Sequence, residues 1–112
     1  MIWIIDFRGD LNESSELNMD GSNAMRAVSI VHGIDIAAAL TSLLIYTKKR
    51  GITLGSINRC LDLSIFTPTT EVGYTSKEIT SALKELTAES PVVFSFAISS
   101  EAEDDKAIAI NA

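Results

Sequence analysis

The chain has one cysteine, Cys60, and one histidine, His32, among 112 residues. A single thiol excludes an intramolecular disulfide and a multi-cysteine zinc site, and it accords with a reducing compartment. One histidine leaves no pair at zinc-ligand spacing, and the sequence contains neither a Cys–His motif nor a Gly-rich phosphate loop. His32, just before Gly33 and Asp35, reads as a helix-boundary residue rather than a base. Cys60 reads as a small, partly buried apolar side chain. The acidic run at 101–105 lacks the alternating ligands of a calcium loop. These absences predict no catalysis, no metal and no cofactor. The opening Met1-Ile2-Trp3-Ile4-Ile5-Asp6 lacks the basic region and small-residue cleavage site of a secretory signal, so a cytoplasmic location is expected. A membrane span is also not expected. Residues 27–46 are apolar and are followed by Lys48, Lys49 and Arg50, but Asp35 would lie near the midplane, at a cost of about 2.5–3.5 kcal/mol.

What is present is ordinary globular material, 46% hydrophobic and 21% charged, in a chain of single-domain length. We expect one α+β domain over 1–112, with an N-terminal strand and acidic loop at 1–23 and a core at 24–112. The formal charge of −6 is unevenly spread. Residues 1–23 carry five acids against Arg8, and 101–112 carry four against Lys106, whereas the middle is near neutral. An acidic whole weakens a nucleic-acid reading without excluding it.

Along the chain, 1–7 is rich in Ile, Trp and Phe and predicts a short buried strand. Residues 9–23 are polar and turn-rich and predict a loop. Residues 24–32 are read as a short helix, although Ala27 to Val31 could instead pair as a strand with 1–7. Asp35 is placed to cap a helix over 36–50, with Gly51 as the left-handed residue past its end. Its many Ala and Leu residues suggest a central core helix. A second helix is expected after Thr53, with Leu54, Ile57 and Leu61 on one face. The third, over 76–89, has a capping box at Thr75-Ser76-Lys77-Glu78 and an apolar stripe of Ile79, Ala82, Leu83 and Leu86, predicted to pack on the 35–50 helix. Residues 92–98 and 106–110 read as two strands around an acidic turn.

This order, with Leu43 to Arg50, the Ile52 to Ile57 entry and Thr75 to Leu86 leading into Val92-Val93-Phe94, resembles the winged-helix (winged helix-turn-helix) superfamily. The resemblance is one of pattern and implies a three-helix core, a C-terminal β-hairpin and an extra N-terminal strand. It departs from the family in the 11 residues, Ser64 to Tyr74, between the second and third helices. It implies a small regulator whose third helix enters the major groove of duplex DNA. Lys77, Thr80, Ser81 and Lys84 would then face the groove, while Lys48, Lys49, Arg50 and Arg59 touch phosphates. The acids Glu101, Glu103, Asp104 and Asp105, at the tip of the wing, oppose DNA. They support the rival expectation of a protein-binding module, an inhibitor, immunity protein or adaptor, directed at a basic partner. A homodimer through the strand at 1–7 is a further expectation.

Overall fold

The apolar run at the N-terminus becomes the centre of a sheet. In the computed structural model, which describes residues 1–12 and 24–99, Ile2–Leu11 is a strand, β1, flanked on both sides. β2 (Ala24–His32) pairs with one edge and β3 (Ile52–Asp62) with the other; β4 (Val92–Ser99) pairs with β2. The order is β3-β1-β2-β4, antiparallel throughout. Two helices, α1 (Ile36–Lys49) and α2 (Ser76–Glu85), join β2 to β3 and β3 to β4.

The helices cover opposite faces of this sheet. Ile5, Phe7 and Leu11 of β1 and Met25, Ala27 and Val31 of β2 pack with Ala39 and Leu43 of α1. Ile4 of β1 and Val28 and Ile30 of β2 pack with Tyr74 and with Ile79 and Ala82 of α2. Successive side chains of a strand point to opposite faces, so a strand buried on both must be apolar at nearly every position. That is why β1 reads as a run rather than an alternation.

Local signals place both helices. Asp35 accepts a hydrogen bond from the Ala38 amide at 2.8 Å, and Gly51 takes φ 72° just past the end of α1. Thr75 accepts from the Glu78 amide at 3.2 Å, and the Glu78 carboxylate in turn takes the Gly73 amide at 2.8 Å. Burial alone would raise the Glu78 pKa, but the Thr75 hydroxyl, which donates to the carboxylate, and the Gly73 amide hold it below its ordinary range.

The three-helix winged core is overturned. Residues 24–32 are the strand β2, because β1 and β4 offer hydrogen-bonding edges on both sides. The expected second helix is β3. Its register against β1 shifts twice, leaving Gly55 and Asn58 without a paired residue. Each bulge reverses the alternation. Leu54, Ile57 and Cys60, opposite Gly9, Phe7 and Ile5, therefore share the α1 face at a spacing of three. A bulged strand has imitated a helical stripe. α2 ends at Glu85, short of 89, and meets α1 only through the sheet between them. The strand at the N-terminus is central, with both edges occupied, so it cannot join two copies edge to edge. The expected strand at 106–110, the acidic tip at 101–105 and most of the 9–23 loop lie outside the described residues. Among the described residues, no helix is long and apolar enough to cross a membrane, and the 27–46 stretch divides between β2 and α1.

Candidate interaction surfaces

On the α2 side of the sheet lies a polar cluster centred on Asp6, which is 1% exposed. Arg26 of β2 donates to its carboxylate through Nε at 3.2 Å and Nη2 at 2.8 Å. Asn58, the bulged residue of β3, donates at 3.3 Å, and the Tyr74 hydroxyl at 2.5 Å. Burial alone would raise the Asp6 pKa, but the donors from Arg26, Tyr74 and Asn58 prevail and lower it. Tyr74, buried and bound to a carboxylate, is pushed well above the ordinary phenol range. An acid held ionised and a phenol held neutral are both far from the pKa that proton transfer near neutrality requires. The cluster is therefore suited to fastening the segment before α2 onto the sheet. Above it, Arg59 pairs with Glu71 at 3.0 Å and lies 5.1 Å from the centre of the Tyr74 ring. The hydrogen bond and charge of Glu71 raise the Arg59 pKa.

The residues expected to read DNA do not form one surface. Lys77, Thr80, Ser81 and Lys84 are exposed on α2, as their helical positions predict. The groove beside them, about 370 Å³, is also lined by Glu78 and Glu85, so its charge is mixed. Lys48 and Lys49 are exposed at the end of α1, on the opposite side of the sheet, and the Arg50 guanidinium stacks 4.3 Å over the Tyr46 ring. Arg59 is on the α2 side but engaged with Glu71. The acidic residues of the rival reading, Glu101, Glu103, Asp104 and Asp105, lie outside the described residues. His32 is exposed and ends β2 rather than bordering a helix start directly; Cys60 is half-buried, and burial raises its thiol pKa. Among the described residues, no group of three His, Cys, Asp or Glu side chains could hold a metal ion.

A surface that the sequence did not reveal lies on α1. Only Ala39, Leu43 and Thr47 of this helix are buried outright. The opposite side presents Ala37, Thr41, Leu44, Ile45 and Lys48, with Leu44 50% and Ile45 53% exposed. Ile34, 84% exposed, lies just before the N-terminus of the helix, where the Gly33 amide bonds to the Met1 carbonyl. A shallow groove of about 440 Å³ runs beside the last turns of α1, between Ile45, Tyr46 and Lys49 on one side and Ser90 and Pro91 on the other. An apolar helix with no charge before its last two residues reads as a core helix from sequence. Here only one of its sides meets the sheet. The Asp6 cluster did leave a sequence trace: a lone acid inside Ile4-Ile5-Asp6-Phe7 must be paired if the run is buried. Nothing local in the sequence identified Arg26, Asn58 and Tyr74 as its partners.

Comparison of the chain with family models, with curated proteins and with solved structures finds no match.

Proposed function

We propose that this domain is a non-catalytic protein-binding module and that the outward side of α1 is its docking surface. The observation that carries this is the exposure of Leu44 and Ile45 on a helix whose outward side has no charge before Lys48. A helix apolar on every side is stable in water when its second side is also covered. Exposed apolar patches edged by charge mark protein contacts, and Lys48 and Lys49 supply that edge here. The alternative of duplex DNA draws support from Lys77 and Lys84, but Lys48, Lys49 and Arg50 lie across the sheet at the end of α1, and Arg59, on the α2 side, is engaged with Glu71. Counterion release from a phosphate backbone needs several cations on one surface.

A photo-crosslinking residue at Leu44, with a control at Thr80 on α2, separates the readings. The expected result is one protein adduct from position 44, lost when Ile45→Glu is added, and none from position 80. A random duplex at low ionic strength should show no gel shift at tens of micromolar protein, as an order of magnitude for non-specific binding. A shift abolished by Lys77→Glu with Lys84→Glu would overturn the proposal, as would the absence of any Leu44 adduct.

A further inference from the structure

We infer that the occupant of the α1 surface is a second copy of this chain, with the two α1 helices packed antiparallel about a two-fold axis between Thr41 and Leu44. This inference rests on the protein-docking reading of α1 and commits it to one partner.

Charge selects the orientation. The outer end of α1 carries Lys48 and Lys49 in its last turn, and its start carries Asp35, fixed as the cap by the Ala38 amide. The helix between has no charged residue. When two such helices run antiparallel, each Asp35 comes opposite the other copy's last turn, so both ends pair acid with base. Their dipoles are opposed as well, a favourable arrangement. A parallel pair would instead set Lys48 and Lys49 against their own counterparts, and like charges in contact disfavour that geometry.

Shape agrees with charge. A two-fold interface must complement itself, each residue meeting a different residue of the other copy. About an axis between positions 41 and 44, Leu44 of one copy falls on Thr41 of the other and Lys48 falls beside Ala37. Large thus meets small at both of these contacts. Thr41 makes no polar demand on this surface, because its hydroxyl already donates to the Ala37 carbonyl at 3.0 Å. Small residues at 37, 38 and 41 let the axes approach to the short end of the usual 8–10 Å range. Ile45 lies on the flank. One helical face buries less than the roughly 800 Å² per partner of a standard interface, so a dimer that dissociates in the micromolar range is expected.

Sedimentation equilibrium of the full chain tests this. The wild type should pass from monomer to dimer as concentration rises through the micromolar range, and Leu44→Glu should stay monomeric throughout. Asp35→Lys should lose the dimer, and so should a chain carrying Lys48→Glu and Lys49→Glu. An equimolar mixture of the two should recover a heterodimer, because each end then again pairs acid with base. Asp35→Asn keeps a capping side chain and should weaken the dimer without unfolding the helix. A wild type that stays monomeric at every concentration overturns the inference, as does a dimer indifferent to Leu44→Glu or a mixture that fails to recover. If the wild type is monomeric while position 44 crosslinks to another protein, self-association falls and the docking surface stands. With neither, both fall.

Discussion

A single carboxylate, Asp6, connects three strands and the loop before α2. It receives Arg26 from β2, Asn58 from β3 and Tyr74 from the segment ahead of α2, all within 3.3 Å. Replacing it with Asn should cost about 2–4 kcal/mol, the upper part of the range for a buried pair being reduced because Arg26 reaches solvent. The change should also flatten the acid limb of stability. The Asp6 pKa is lower in the folded chain than in the unfolded one, so its contribution is complete above the ordinary carboxylate value. It declines as pH falls below about 5 and is gone once pH has passed the folded value. Urea titrations of wild type and Asp6→Asn from neutral pH downward should therefore converge in acid. Parallel curves would show that Asp6 is not the titrating group.

Within elements, two adjacent leucines of α1 have opposite environments. Leu43 is buried against the sheet and Leu44 is half-exposed. Leu43→Ala should cost about 2–5 kcal/mol, as for a core leucine, whereas Leu44→Ala should cost under about 1 kcal/mol in the monomer. Equal losses in chemical denaturation at dilute concentration would contradict the one-sided burial of α1. α2 depends more on its cap. Thr75 accepts the Glu78 amide and donates to its carboxylate at 2.7 Å, so Thr75→Ala should cost about 1 kcal/mol. Unfolding midpoints unchanged by Thr75→Ala would show that Gly73 and Tyr74 position the helix without it.

For the whole molecule, the consequence of placing one helix on each face is a separation of charges. A winged arrangement would have brought Lys48, Arg59, Lys77 and Lys84 toward one surface. The sheet instead sets the α1 lysines apart from those of α2, while Glu71 engages Arg59 and Glu78 and Glu85 flank Lys77. The sheet also excludes its own central strand as a dimer edge and leaves the adjacent Leu44 and Ile45 of α1 exposed.

The sequence by itself determined the features that depend on neighbours a few residues away. The Asp35 and Thr75 caps, the Gly51 terminus of α1 and the strand character of 1–7 and 92–98 all follow from local hydrogen bonding, backbone freedom or side-chain branching, and all are present. The features that depended on distant pairing were decided by the tertiary structure. Residues 24–32 suit helix or strand, and two flanking strands selected the latter. The expected stripe of Leu54, Ile57 and Leu61 is split: bulges at Gly55 and Asn58 set Leu54 and Ile57 on the α1 face three residues apart, whereas Leu61, opposite Ile4, packs on the α2 face, and a bulge exists only against its partner. The exposure of α1 followed the same rule: it is apolar around most of its circumference, and only the sheet fixed which side is buried and which is exposed.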